Sequence, residues 1–195
     1  MIKRLFDIIA SLFGIIILSP FLLIIAILVA LDSKGGAFYR QVRVGKNGKQ
    51  FKLFKFRTMH TDSDKKGLLT VGMRDSRVTR IGYSLRKYKF DELPQLFNVL
   101  LGDMSIVGPR PEVPKYVAMY TDEQKKVLSV KPGITDYASI VYSGENDILA
   151  RADNPEEVYI TKVMPAKLKL NLKYIDEMSF TRDIGIIFRT LGKIF

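Results

Sequence analysis

Apolar positions fall into different patterns along the chain. From Ile8 to Leu31 the sequence reads IIASLFGIIILSPFLLIIAILVAL without a charge. That is long enough to cross a bilayer as a helix, which takes about 20 apolar residues. Beyond it, Phe38–Val44 and Gln50–Phe56 flank GKNGK, and Asn47-Gly48 predicts a β-hairpin turn. Helical spacing follows at Val78, Ile81, Leu85 and Tyr88, and again at Leu93, Leu96, Phe97 and Leu100. Pro94 suits the first turn of the second run and Gly102 its stop. Thr121 with Gln124 reads as a capping box, and Asn154-Pro155-Glu156-Glu157 as another helix start. Near the end, Ile184, Ile187, Phe188 and Leu191 form an apolar face, with Arg182, Arg189 and Lys193 among the polar positions. That pattern fits a surface helix packed on its own domain, or an interfacial helix lying on anionic lipid. The pattern predicts a mostly α (α+β) chain. A membrane segment occupies residues 1–33. Residues 34–195 form a compact cytosolic, membrane-associated domain of short amphipathic helices with a small β-hairpin, ending in the interfacial helix.

Two features complicate a simple membrane span. Pro20 lacks an N–H, and its ring clashes with the Ile16 carbonyl, so the helix is expected to kink or break there. Ser19 offers its hydroxyl to a freed carbonyl, which hydrocarbon would otherwise leave unsatisfied. The charges also matter. Lys3 and Arg4 precede the segment, and Lys34, Arg40, Arg43 and Lys46 follow it. Basic residues favour the cytoplasmic side, so neither end favours translocation. A helix–break–helix hairpin that enters and leaves by one face satisfies both constraints. Its arms, about 11–15 residues each, reach roughly 17–22 Å, a little past the middle of a ~30 Å hydrocarbon core. A single-pass anchor with a tolerated proline is the alternative. A cleaved signal peptide fits poorly, because the apolar run is too long.

Composition narrows the chemistry. There are 31 Lys+Arg against 20 Asp+Glu, a net charge of +11, which points to anionic partners. The chain has no Cys and a single His, His60. This excludes a disulfide scaffold, a thiol nucleophile and a Cys-rich zinc site. Walker, GxGxxG, HExxH, GxSxG and EF-hand patterns are all missing from the sequence.

The strongest local constellation is KFDELPQLFNVLLGDMSIVGPRP. Asp91 and Glu92 stand at an expected helix start, where Asp is a common N-cap and Glu suits the first turn. Arg86 lies one turn upstream. Arg110 lies downstream between Pro109 and Pro111, a flexible cation on a stiff backbone, suited to holding a phosphate. A helix N-terminus favours the ionised form of a carboxylate, ready to act as a nucleophile. Attack on a phosphate then requires a divalent cation and arginines to screen the repulsion. Asp91 and Glu92 are oxygen ligands suited to Mg²⁺. FKLFKFRTM adds Lys52, Lys55 and Arg57. These suit a nucleic-acid surface, a hairpin face, or a grip on a diphosphate or lipid headgroups.

Taken together, KRLFD, Ser19-Pro20, RQVRVGKNG, KFRTM, DELPQLFNVLLGDMSIVGPRP and KPGIT resemble the bacterial sugar transferases, the small monotopic phosphoglycosyl transferases. The resemblance runs from about Lys3 to about Thr190. It implies a re-entrant membrane helix broken at Ser19-Pro20. It implies transfer of a phosphosugar from a UDP-sugar to polyprenol (undecaprenyl) phosphate, giving polyprenyl-diphosphate-sugar and UMP, the first membrane step of surface glycan assembly. Asp91 would be the nucleophile of a covalent phosphosugar intermediate. Glu92 would assist with Mg²⁺ or proton handling, and Lys55, Arg86 and Arg110 would bind phosphate, with Arg57 in the same basic cluster. The implied partners are the sugar donor, the lipid acceptor and membrane lipid, with no nucleic acid and a homodimer left open. The implied location is the cytosolic face of the bacterial inner membrane. The chain departs from the family pattern after KPGIT, with DYASIVYSGEN at 136–146, and in KYKF before DELPQL.

Overall fold

The computed structural model describes residues 2–63, 67, 69, 70, 72 and 75–194. The apolar run forms helix α1, Ile2–Asp32, which continues through Pro20. The expected break is therefore replaced by one helical element. Ser19 Oγ donates to the Ile16 carbonyl at 2.8 Å, which satisfies the acceptor that the missing proline N–H leaves free.

Both ends of α1 are held by the remainder of the chain. Two strands follow it, β1 (Phe38–Val44) and β2 (Gln50–Phe56), an antiparallel hairpin in register from Phe38↔Phe56 to Val44↔Gln50. Asn47 and Gly48 supply the positive φ of its turn, as the sequence predicts. Next come α2 (Arg80–Lys87) and α3 (Gln95–Leu101). Thr79 caps α2 by accepting from Gly82 N at 3.0 Å. Val78, expected inside this helix, instead bridges Met59. Gly102, φ 97°, ends α3 as expected.

Strand β3 (Ser105–Val107) pairs in parallel with β4 (Gly133–Thr135). Between them lie α4 (Pro114–Val117) and α5 (Asp122–Lys125), the latter carrying the Thr121–Gln124 capping box. Helices α6 (Tyr137–Val141), α7 (Glu145–Ala150) and α8 (Pro155–Val158) follow, α8 capped by Asn154. A π-helical turn, Tyr159–Val163, leads into α9 (Met164–Asp176), and α10 (Phe180–Ile194) closes the fold. The architecture is mostly helical with a small hairpin, as the sequence predicts; the parallel β3–β4 pair is an addition it did not predict.

At its N-terminal end, α1 is fixed by Arg4, which donates to the Val99 and Leu100 carbonyls of α3 at 2.6 and 3.0 Å. Asp7 accepts from Ile106 N at 3.0 Å. Lys3 donates to the Val107 carbonyl and ion-pairs with the buried Asp183 of α10. At the other end, Ile25 and Val29 pack with Phe56 and Leu85, and Asp32 accepts from Ile81 N at 3.0 Å. Between the two ends, Gly14 lies against Leu96, where an added Cβ would sit 3.3 Å from its Cδ1. The opposite side of α1 exposes Leu5, Ile9, Phe13, Ile17, Ile24 and Leu31. A second core gathers Tyr116, Tyr120, Val127, Leu149, Tyr159 and Leu168. Helix α10 buries Ile186 with Val107 and Tyr174 and leaves Phe188 and Leu191 exposed.

Candidate active site

Asp91 and Glu92 do not begin α3. They sit in a tight 3₁₀ turn, Phe90–Glu92, entered through Lys89 at φ 59°. Leu93 and Pro94 then connect this turn to α3. Both carboxylates are buried, yet their surroundings differ. Glu92 accepts from Lys55 Nζ at 3.1 Å and from both terminal nitrogens of Arg110, a bidentate pairing. Asp91 Oδ1 is buried without a hydrogen-bond partner.

The two acids consequently titrate in opposite directions. Burial raises the Asp91 pKa above the usual carboxylate value, against the attraction of Lys55, and the neighbouring Glu92 charge raises it further. Burial also pushes Glu92 upward, but Arg110 and Lys55 outweigh it and hold Glu92 well below its usual range. The helix N-terminus expected to favour ionised Asp91 does not prevail, because Asp91 precedes α3 and is desolvated. Burial lowers the pKa of Lys55 and of Arg86.

Asp91 and Glu92 open onto a cavity of about 790 Å³. Lys55, Arg86 and Arg110 line it with them. Thus β2, α2 and the Pro109-Arg110-Pro111 loop deliver their cations to one place. Arg86 is steadied by Thr70, whose hydroxyl accepts from Nη2 at 3.0 Å. Arg57 is not among the lining residues. Its buried guanidinium lies under Gly35, donates to the Lys34 carbonyl, and so braces the exit from α1. Lys52 points its carbonyl to Asn98 Nδ2 at 2.8 Å. Ser19 and Pro20 lie on α1, also outside the cavity lining.

Helices α6 and α7 and the turn between them also line the cavity, through Tyr142, Ser143, Glu145 and Asn146. An apolar flank is built from Leu93, Leu96, Ile106 and Ile187. Cations on one side suit phosphates, hydroxyl and amide groups suit a polyol, and the apolar flank suits a lipid. Arg43, Glu112 and Tyr159 also reach the cavity. Arg43 stands within RQVRVGKNG and Glu112 directly follows GPRP, but Tyr159 carries no local sequence signal.

Whether these residues fit Mg²⁺ rests on which oxygens are free. Asp91 Oδ1 is free, whereas both Glu92 oxygens already accept from cations. Among the described residues no group of three acidic or imidazole side chains gathers. A single carboxylate, completed by water and substrate phosphates, is a common Mg²⁺ environment, so the Asp91 side fits.

Comparison with known proteins gives the chain a family. The model of the bacterial sugar transferase family matches residues 1–195. The sugar transferase EpsL of Bacillus subtilis (strain 168) is 39% identical over 193 residues, 99% of this chain and 87% of that protein. The UDP-N-acetylgalactosamine-undecaprenyl-phosphate N-acetylgalactosaminephosphotransferase of Aeromonas hydrophila is 38% identical over 99% of this chain and 43% of its own length. The UDP-glucose:undecaprenyl-phosphate glucose-1-phosphate transferase of Escherichia coli (strain K12) is 38% identical over 100% of this chain and 40% of its own. The chain spans less than half of the last two and 87% of EpsL. A cavity with cations facing a free carboxylate, a helix apolar enough for a bilayer, and a family match from end to end lead to one assignment: this chain belongs to the bacterial sugar transferases.

Proposed function

We propose that this protein transfers a phosphosugar from a UDP-sugar to undecaprenyl phosphate, through a covalent intermediate on Asp91, at the cytosolic face of the bacterial inner membrane. The observation that carries this reading is the asymmetry of the two acids. Glu92 is committed to Arg110 and Lys55, and Asp91 keeps a buried oxygen without a partner beside a cavity lined by the same cations. Relatives named for this transfer support it.

In the first step an Asp91 oxygen attacks the phosphorus that bears the sugar. A bond forms between them, the bond from that phosphorus to the bridging oxygen breaks, and UMP leaves with the electron pair. In the second step a phosphate oxygen of undecaprenyl phosphate attacks the same phosphorus. The Asp91–phosphorus bond breaks, the carboxylate is regenerated, and the diphosphate-linked sugar lipid departs. Lys55, Arg86 and Arg110 offer fixed positive charge where negative charge accumulates. Glu92 holds Lys55 and Arg110 in place. A bound Mg²⁺, held by Asp91 with the donor's phosphates, would screen the repulsion between carboxylate and diphosphate.

The same reading has α1 enter and leave the membrane by one leaflet. A straight helix of 31 residues would extend roughly 45 Å, and a transmembrane span would separate its ends by a bilayer. Here both ends are bonded to the same domain, Lys3 and Arg4 at one end and Asp32 at the other. The exposed stripe of α1 and Phe188 and Leu191 of α10 then meet lipid.

The deciding experiment incubates the protein with Mg²⁺, undecaprenyl phosphate and a panel of UDP-sugars and follows UMP. One sugar should release UMP, and label from that donor should be trapped on the protein without acceptor. Near-normal turnover by Asp91→Asn, or intersecting kinetic lines with no trapped label, would defeat the covalent route.

A further inference from the structure

We infer that Tyr159, acting through Glu112 and Arg43, is a positioning residue for Arg110, and that the π-helical turn exists to present it. The inference rests on the reading of Arg110 as a phosphate-facing cation. Arg110 stands on a loop whose two prolines fix φ but do not anchor the loop to the domain. The anchoring is done by neighbours. Val44 N donates to the Glu112 carbonyl at 2.9 Å, and the Arg110 N–H is held by Asp136 Oδ2 at 3.2 Å. Arg43 donates to the Pro111 carbonyl at 2.9 Å and to Glu112 Oε1 at 3.2 Å, and its remaining bonds go to Gln41 Oε1. Arg43 therefore gives Nη1 to the loop and Nε and Nη2 to Gln41, so each of its nitrogens has a protein partner although it reaches the cavity.

Glu112 is the joint of this brace. Oε1 takes Arg43 and the Val113 N–H, and Oε2 accepts the hydroxyl of Tyr159. Tyr159 is buried, its ring centroid 5.0 Å from that of Tyr116. Burial and the Glu112 charge raise its pKa far above the usual phenol range, so it donates at any working pH. It is the first residue of the π turn between α8 and α9. Such turns are rare, and often occur at functional sites. Without the extra residue per turn, Tyr159 would rotate away from Glu112. The chain Tyr159–Glu112–Arg43–Pro111 thus fixes the backbone that follows Arg110, while the Pro109 carbonyl on the other side accepts from Gly133 N at 3.0 Å; the Arg110 side chain meets Glu92 and the cavity.

Tyr159→Phe tests this, since it keeps the ring and removes only the donor. Tyr174→Phe is the control, because it removes an equally buried hydroxyl that donates to another carboxylate, Asp183. Hydrogen exchange of the peptide covering 108–113 should quicken in Tyr159→Phe and stay unchanged in Tyr174→Phe. UMP release should fall about tenfold or more in kcat for Tyr159→Phe, with donor KM within twofold, and Glu112→Gln should fall at least as far. The double variant should be little worse than the worse single one, because residues acting as one unit are not additive. Unchanged exchange at 108–113 overturns the inference, and so does quickened exchange with wild-type kcat. If the wild-type protein releases UMP from no donor, the functional reading has failed, and the exchange result alone decides whether the brace stands.

Discussion

Asp91→Asn and Glu92→Gln should both inactivate the protein and yet move its stability in opposite directions. Asp91 is a buried carboxylate with an unpartnered oxygen and a raised pKa. Its folded form prefers the proton, so at neutral pH the fold bears the cost of an ionised group that water would solvate better. Removing that charge should stabilise the metal-free protein by about 1 kcal/mol, in the range found when a functional group is relaxed. For a chain of this size that raises the midpoint by roughly 2–4 °C. Glu92 accepts from Lys55 and twice from Arg110, with side chains 18% and 33% exposed. Deleting its charge strands both cations. Breaking a buried pair costs about 3–5 kcal/mol, and the partial exposure of Arg110 reduces this to about 2–3 kcal/mol, a fall of roughly 4–12 °C. The pH dependence differs as well. The benefit of Asp91→Asn should vanish as pH falls below the ordinary aspartate range, where Asp91 is protonated folded or unfolded. The Glu92 contribution is present above the ordinary glutamate range and disappears only as pH falls through its depressed folded value. The assay is thermal unfolding in detergent with chelator, from pH 4 to pH 8. If Asp91→Asn lowers the midpoint as far as Glu92→Gln, the asymmetry on which the assignment of roles rests is wrong.

Gly133→Ala should cripple folding, because its Cβ would sit 2.8 Å from Gly108 Cα across the β3–β4 contact; expression and midpoint of Gly133→Ala against Gly192→Ala, whose Cβ meets nothing within 4 Å, measure it. Cysteines introduced near Lys3 and near Lys34 should both label from the cytoplasmic side of intact cells, and labelling from opposite sides would restore a single-pass anchor. Arg57→Ala should leave donor KM unchanged and lower stability, since Arg57 holds the Lys34 carbonyl and lies outside the cavity lining; a raised KM alone would place it in the binding site.

What the sequence made legible were the features set by local rules. Asn47-Gly48 fixed the hairpin, Gly102 the end of α3, Thr121 and Asn154 their caps. The company of Asp91, Glu92, Lys55, Arg86 and Arg110 was legible because these residues belong to compact motifs, and the fold brings them to one cavity. The misses are long-range. Nothing near Ser105 or Gly133 announces their three-residue parallel strands, since the pairing depends on Gly108 and Gly133 coming into contact. Arg57 shares a strand region with Lys55, but lies beyond the end of β2 and turns to the exit of α1. Pro20, a local reading, was expected to kink or break the helix, which runs on through it, while the expected Ser19 bond to the freed carbonyl is present. Asp91 read as a helix-favoured anion, and burial, which no local pattern encodes, reversed the direction.

That reversal has a chemical use. A carboxylate that water or a lysine already stabilised would be a poor nucleophile, because attack would first have to break those bonds. The fold assigns the two acids separate tasks through their partners, not their type. Lys55 and Arg110 give their hydrogen bonds to Glu92, whose single charge offsets one of their two, so neither cation is bonded to Asp91. In the proposed transfer the donor's phosphates would bring the charge that Lys55, Arg86 and Arg110 are placed to meet, and Asp91 would be the anion left to react. Adjacent residues in the sequence, Asp91 and Glu92, differ because a 3₁₀ turn points them at different neighbours. On the proposed mechanism the turn, more than the pair of acids, is what would let a basic cavity form a bond with phosphorus.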